Sequence, residues 1–303
     1  MKMSTGNPER PFNSLNTSAS ILRTIMRGIL PPIGLWPLLL FLGVFFVLPL
    51  VGVILGSVHF PDFTLAEYRV IFSEPVYIRV VYNTFLIAGG VTLLCLVLGY
   101  PIAVALISVT PWMRALIFIS IIMPLLTSFL VRTYAWIILL QRNGVINDVL
   151  RGFGLIDSPL AMMYNRIGTF TGMTHVLLPF MILPLYSVMR GIDPRLLEAA
   201  RNLGAPGHQV FLRIYLPLSL PGITAGALFV FMLALGFYIT PALLGGAPDM
   251  TIAVLIERQA AVLLNRPLAA ALATVLLGFS LVVYVIYTLL FGADKAFSSM
   301  LDR

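Results

Sequence analysis

Long apolar runs, separated by shorter polar stretches, dominate the pattern of hydrophobic and polar positions along this chain. A helix that crosses a bilayer needs about 20 predominantly apolar residues, at a rise of about 1.5 Å each. Runs of that length lie at about 35–58, 83–108, 115–140, 168–190, 219–246 and 268–292. The pattern predicts an all-α integral membrane protein with six transmembrane helices.

Composition agrees with this prediction and narrows the chemistry. The chain has 59% hydrophobic and only 10% charged residues, too few polar groups to cover the surface of a soluble domain. A single cysteine, Cys95, lies within a run, and the three histidines are far apart in the sequence. We therefore expect no disulfide, no metal site and no cofactor bound by this chain.

The charged residues predict which side of the membrane each polar segment faces. With both termini in the cytoplasm, the inner segments hold more of the 19 basic residues than the outer ones. That distribution follows the positive-inside rule. We expect a polar cytoplasmic tail over 1–32, a six-span transmembrane domain over 33–292 and a cytoplasmic tail over 293–303. The basic residues are scattered, so membrane lipid is an expected partner and nucleic acid is not.

The polar segment at about 193–217, between the fourth and fifth runs, differs from the other connections. Asp193 is a good N-cap, and Pro194 fits the first position of a helix, where its missing amide costs nothing. Gly204 is a typical residue for ending that helix. With the Ala-Pro-Gly turn and the short amphipathic segment "HQVFLRI", the pattern predicts a helix–turn–helix on the cytoplasmic face.

The spacing within this segment resembles the EAA–G–I–LP signature of permease subunits in binding-protein-dependent ABC importers. The matching residues are Glu198-Ala199-Ala200, Gly204, Ile214 and Leu216-Pro217. The stretches "TSFLVRTYAWIILLQRNGVIN" and "LPFMILPLYSVMRGIDPRLLEAARNLGA" are similar to the spermidine/putrescine-type branch of that family. The resemblance implies a type I ABC importer permease architecture in the bacterial inner membrane, with a cytoplasmic coupling helix.

The resemblance also implies partners that this chain does not encode. Two ABC ATPase subunits would use ATP and Mg, a solute-binding protein would deliver the solute from outside, and a second permease would complete a heterodimer. The residues expected to couple this chain to the ATPase are Glu198, Ala199, Ala200, Leu203, Gly204, Ile214, Leu216 and Pro217. The sequence contains no G-x-x-x-x-G-K-[ST] phosphate loop, so we expect a transport subunit and not an enzyme.

Polar groups inside the predicted spans are candidates for a substrate path, because a polar group in hydrocarbon is costly. The candidates, from the third and fifth runs, are Arg132, Thr133, Tyr134, Trp136, Phe237, Tyr238 and Thr240. Other interpretations stay open. Arg132 can extend to the membrane surface or pair with an acidic neighbour, and the aromatic residues can form an interfacial belt or pack in the core.

The solute is not fixed by the resemblance. Many polyamine permeases look like "LGDFVTPALLGG" in the fifth span, whereas this chain has "LGFYITPALLGG" without the acid. A polyamine-like solute and an amino-acid-like or opine-like solute both stay open. The alternative function is an ATP-independent secondary transporter or channel. The polar segment argues against it, as does the lack of paired acids within the spans.

Overall fold

The computed structural model describes residues 35–291, and in that range all regular secondary structure is helical. The predicted tails, 1–32 and 293–303, lie outside the described residues. The helices are α1 (Trp36–Ser57), α2 (Ala66–Ser73), α3 (Pro75–Ser108), α4 (Pro111–Leu126), α5 (Phe129–Leu140), α6 (Val145–Gly152), α7 (Arg166–Arg190), α8 (Pro194–Asn202), α9 (Gly207–Leu235), α10 (Ile239–Leu244), α11 (Ile252–Glu257) and α12 (Arg266–Phe291).

Five helices, α1, α3, α7, α9 and α12, are long and apolar enough to cross a membrane, and a bent pair raises the number to six. The predicted spans agree with these helices in order and number. Three boundaries differ. The predicted fifth span reaches 246, but α9 ends at Leu235: residues 236–238 are not helical, beginning with Gly236, a residue that weakens helices, and α10 follows as a separate helix. In addition, α3 begins at Pro75 and α9 at Gly207, each well before the apolar run. Both helices start with amphipathic turns, which a search for continuous apolar residues does not detect.

The third predicted span, about 115–140, is not one straight helix. It consists of α4 and α5, which meet at a break of 103° when the second part is followed to Gly152. Pro124 removes a backbone donor near the end of α4, and the Thr127 hydroxyl donates to the Pro124 carbonyl at 2.8 Å. Thr127 and Ser128 are not helical. The break gives α5 its own N-terminus inside the apolar part of the chain.

Helices α3, α7 and α9 pack against one another and form the largest hydrophobic core. Small residues allow their close approach, as is usual between membrane helices. A Cβ at Gly226 of α9 would lie 2.8 Å from the Met181 sulfur of α7, and one at Gly99 of α3 would lie 3.2 Å from the Met181 Cγ. This core belongs to a compact unit that begins at Ile54, whereas most of α1 precedes that unit.

A polar clasp, formed by Asn83, Arg166 and Asp249, joins the third turn of α3 and the first residue of α7 to the short turn Ala247–Asp249. The Arg166 Nε donates to the Asp249 carboxylate, and the Asn83 side-chain amide donates to the Pro248 carbonyl at 2.6 Å. Arg166 Nη2 also donates to Asn83 Oδ1 at 3.4 Å. These bonds fix the connection between α10 and α11 to the core helices.

Candidate functional site

The segment that carries the EAA-type spacing begins as the sequence predicts. The Asp193 carboxylate accepts a hydrogen bond from the Arg195 amide at 2.9 Å, and Pro194 is the first residue of α8. This cap satisfies one of the amides that a helix leaves free at its N-terminus. The predicted N-cap and helix start are therefore confirmed.

The end of α8 is a tight turn at Gly204. Its φ of +84° lies in the left-handed region, which glycine adopts without steric cost. The Gly204 amide donates to the Arg201 carbonyl at 2.9 Å, and the Ala205 amide donates to the Ala200 carbonyl at 3.1 Å. The predicted role of Gly204 in ending the helix is confirmed.

The second half of the segment is continuous with the following span. The predicted short amphipathic piece forms the first turns of α9, including a π-helical turn at Phe211–Tyr215. Pro217 lacks an amide donor and would clash with the carbonyl of Arg213 in a regular helix, and a wider turn just before it accommodates such a residue. Helix α8 contacts these first turns, so it is connected to a spanning helix by packing as well as by the chain.

Much of α8 and the residue after it is exposed to solvent in this chain. Leu203 is 89% exposed, Glu198 and Ala199 are exposed, and Ala200 is half-buried. Within residues 35–291, Glu198 belongs to none of the ion pairs. An exposed carboxylate on the helix and an exposed leucine at its C-terminal end are thus available to a partner without reordering of the backbone.

The second group of predicted residues lies where two helix breaks meet. Helix α5 begins at Phe129, and α10 begins at Ile239 after an interruption that follows Leu235. The hydroxyls of Thr133 and Thr240 are 3.3 Å apart, and both residues are buried. Phe129 and Phe237 pack edge to face, with ring centroids 5.8 Å apart. The structure thus brings Thr133, Phe237 and Thr240 together, and we call the group the broken-helix cluster.

Trp136 connects this cluster to the middle of α7. Its indole Nε1 donates to the Nδ1 of His175 at 3.2 Å, and the two rings meet edge to face. The imidazole therefore accepts at Nδ1 and has its Nε2 free to carry the proton. From the sequence, His175 is only a weak candidate for the substrate path, and nothing in its local pattern indicates Trp136 as its partner.

Arg132 is buried in the cluster, with 6% of its surface exposed. Its guanidinium lies 4.6 Å from the centre of the Phe129 ring, a contact worth about 0.5–2 kcal/mol. Burial of an unpaired ion costs several kcal/mol, so the ring offsets only part of the cost. Among residues 35–291, Arg132 neither reaches the surface nor pairs with an acid, so neither of those two interpretations fits the structure.

Tyr134 and Tyr238 do not join the cluster. Their side chains are 55% and 45% exposed, on the outside of α5 and beside the start of α10. Tyr238 lines a separate, open pocket of about 260 Å³ together with Ala253, Ile256 and Leu276.

A cavity of about 430 Å³ lies beside the cluster. It is bounded by α3, α4 and α7, and His175 and Ser120 are among its few polar lining residues, together with Pro124 and Pro179. The volume is in the range of sites for small solutes. No group of three His, Cys, Asp or Glu side chains in the described part of the chain is placed to hold a metal ion.

Comparison with known proteins agrees with this architecture, although no family model matches the chain. The PotB permease of the spermidine/putrescine transport system from Haemophilus influenzae is 37% identical over 224 residues, 73% of this chain and 78% of the relative. The Escherichia coli PotB is 39% identical over 225 residues, which are 73% and 82% of the two chains. The E. coli inner membrane ABC transporter permease YdcU is 34% identical, covering 70% and 71%.

Solved structures show the same fold. A chain of a bacterial ABC transporter involved in the import of the acidic polysaccharide alginate superimposes with a TM-score of 0.67 at 19% identity, covering 93% of this chain and 99% of that one. A second structure of an alginate transporter, in complex with an alginate-bound periplasmic protein, gives the same TM-score over 90% of this chain.

The fold and these similarities define an ABC importer permease, a multi-pass membrane transport subunit of the type I architecture. The chain belongs to the spermidine/putrescine permease family of binding-protein-dependent ABC importers.

Proposed function

We propose that this chain is the membrane-spanning subunit of an ATP-driven importer that moves a small polar solute by alternating access. The solute is polyamine-like, as the names of the two PotB relatives indicate, or amino-acid-like or opine-like, as the absence of an acid at 236–238 allows. An extracytoplasmic binding protein delivers it. The chain uses no cofactor itself, and its partner ATPases use ATP and Mg.

The observation that carries this proposal is the placement of the complete EAA–G–I–LP spacing on an exposed, capped helix and turn. Glu198 and Leu203 are open to a partner, whereas Ile214 and Leu216 lie half-buried on the first turns of α9. We infer that Glu198, Ala199, Ala200, Leu203 and Gly204 contact an ATPase. Ile214, Leu216 and Pro217 would connect that contact to the span.

The packing of α8 supports a mechanical route for coupling. Because α8 contacts the first turns of α9, a displacement of α8 by a closing ATPase would move α9 as well. Tyr100 of α3 and Ser219 of α9 are joined by a hydrogen bond of 3.1 Å, and α9 also packs on α7. The displacement would therefore reach the broken-helix cluster at the far end of α9. The proposed path residues there are Arg132, Thr133, Trp136, Phe237 and Thr240, with Tyr134 and Tyr238 at the exposed edge.

The remaining partners follow from the same proposal. Two ATPase subunits each need one coupling helix, so a second permease, a different chain in our proposal, supplies the other. Both termini lie in the cytoplasm, in the tails 1–32 and 293–303 that flank the transmembrane domain. One alginate transporter structure contains a bound periplasmic protein, and we propose a corresponding partner on the outer face here.

The proposal is tested by uptake into proteoliposomes that contain both permeases, the ATPases and the binding protein. Glu198→Ala combined with Gly204→Ala should abolish ATP-dependent uptake while the subunit still inserts and assembles. Asp157→Ala combined with Gly152→Ala is the matched control, since both residues are exposed and lie far from α8 in the sequence. Unchanged uptake in the first double variant would remove this segment from coupling.

The alternative, a secondary transporter or channel, gives the opposite result in the same vesicles. Solute uptake driven by an ion gradient, in the absence of any ATPase subunit, would overturn the proposed function. Uptake that requires ATP on the side of the membrane that carries the ATPases would exclude the alternative.

A further inference from the structure

Arg132 has a charge that no anion and no hydrogen-bond acceptor in residues 35–291 compensates. Its Nε, Nη1 and Nη2 atoms are all buried without a hydrogen-bond partner, and none of the ion pairs in that range includes it. A guanidinium in this state is much less stable than one that is paired with an anion. The buried guanidinium of Arg132 is therefore energetically costly where it lies, at the meeting point of two broken helices.

The surroundings of Arg132 increase the positive potential. The residue lies in the first turn of α5, where the helix dipole and the free amides favour a negative charge. The other polar groups nearby are neutral: the hydroxyls of Thr133 and Thr240 in the cluster, and the Trp136–His175 pair next to it. Both the side chain and the helix end thus attract the same kind of ligand.

We propose that Arg132 anchors an anion subsite that binds a carboxylate group. The planar guanidinium matches a carboxylate with two parallel hydrogen bonds. Because its nitrogens are covered in this conformation, the carboxylate is enclosed with Arg132 or reaches it when α5 and α10 separate. The inference rests on the proposed permease function, which supplies both the moving helices and a ligand.

Two sources can supply the carboxylate, and they have different consequences for the solute. A carboxylate on the solute makes an amino-acid-like compound the transported class, and it agrees with the absence of an acid in Gly236-Phe237-Tyr238. A carboxylate on the second permease neutralises Arg132 and leaves the path open to a polyamine.

The test uses the complete transporter, with both permeases and both ATPases, in lipid nanodiscs. The variants are Arg132→Gln, which removes the charge, and Arg132→Lys, which keeps it without the planar fork. Arg142→Gln is the control, because Arg142 is an exposed arginine just after α5. Two readouts need no ATP: retention of the second permease during purification, and tryptophan emission during titration with sodium acetate or sodium 4-aminobutyrate against sodium chloride at equal ionic strength.

Trp136 reports the subsite because it lies one turn from Arg132 on α5. If the solute supplies the carboxylate, these salts change the emission of the wild type and of Arg142→Gln. Half-saturation then rises about 10- to 100-fold in Arg132→Gln, with Arg132→Lys between the two. If the second permease supplies it, Arg132→Gln loses that subunit and the carboxylate salts do not affect the wild type.

The proposal is overturned if Arg132→Gln keeps the second permease and no carboxylate salt distinguishes it from the wild type. If Arg132→Gln does not insert, Arg132→Lys serves alone, and behaviour identical to the wild type in both readouts overturns the proposal. A failure of ATP-driven uptake would refute the proposed function and would leave both readouts interpretable, so the two failures are distinguishable.

Discussion

Replacement of Gly204 by alanine tests how the turn after α8 is stabilised. A φ of +84° costs an L-residue about 1–2 kcal/mol, whereas asparagine adopts this region more readily. No atom lies within 4 Å of the position that a Cβ would occupy. Within this chain, the cost of the alanine is therefore conformational and not steric.

This cost predicts a measurable opening of the turn. Since 1.4 kcal/mol corresponds to about tenfold in an equilibrium constant, alanine should raise the opening equilibrium about 5- to 30-fold. Opening breaks the bonds from the amides of Gly204 and Ala205, which are 2.9 and 3.1 Å long. Hydrogen exchange in a peptide over 200–206 should accelerate by the same factor, and Gly204→Asn should change it by less than about threefold.

Gly207→Ala is the control, because Gly207 also has open space around it but no positive φ, and its exchange should match the wild type. Equal exchange in Gly204→Ala and the wild type would refute the assignment of strain to this turn. ATP-driven uptake then distinguishes backbone strain from contact with a partner. If strain alone matters, Gly204→Asn should transport faster than Gly204→Ala. If a partner packs closely on the turn, Gly204→Ala, with its smaller side chain, should transport faster.

Three further predictions concern the helices around the broken-helix cluster. In Gly172→Ala, the new Cβ would lie 2.5 Å from the Cγ2 of Thr240, so we expect a loss of about 1–3 kcal/mol and a lower thermal midpoint of the purified protein. Trp136→Phe removes the 3.2 Å bond to His175 and should cost about 0.5–1.5 kcal/mol in the same assay. Cys95 is fully buried, so maleimide should label the protein only after denaturation.

The controls for these predictions come from exposed positions. Gly152→Ala adds a methyl group in open space, and Trp112→Phe changes an indole that is 65% exposed; neither should lower the midpoint. A midpoint of Gly172→Ala equal to that of the wild type would mean that α7 and α10 can move apart without cost. Labelling of the folded protein would contradict the burial of Cys95.

The sequence predicts the order of the spans and the ends of α8, because these depend on local chemistry. Asp193, Pro194 and Gly204 each act through their own backbone position. The break between α4 and α5 was not predictable from hydropathy, since both halves are apolar. Pro124 indicates a bend there, but the size of the bend depends on packing against other helices.

In the candidate path, too, the features set by local sequence are predictable and those set by packing are not. Arg132, Thr133 and Trp136 are close in sequence, so a local pattern finds them together. The contact of Thr133 with Thr240 and that of Trp136 with His175 join residues that are far apart in the chain. Such pairs depend on how α7 and α10 pack on α5, which a single sequence does not reveal.

The polar clasp offers a fixed frame for measuring motion in this protein. Asn83, Arg166 and Asp249 join three parts of the chain through side-chain hydrogen bonds. Spin labels or fluorophores placed beside any two of these residues should keep a constant separation throughout the transport cycle. A third label on α8 can then be located against that frame, so that its displacement during ATP turnover is read as a vector and not as a single distance.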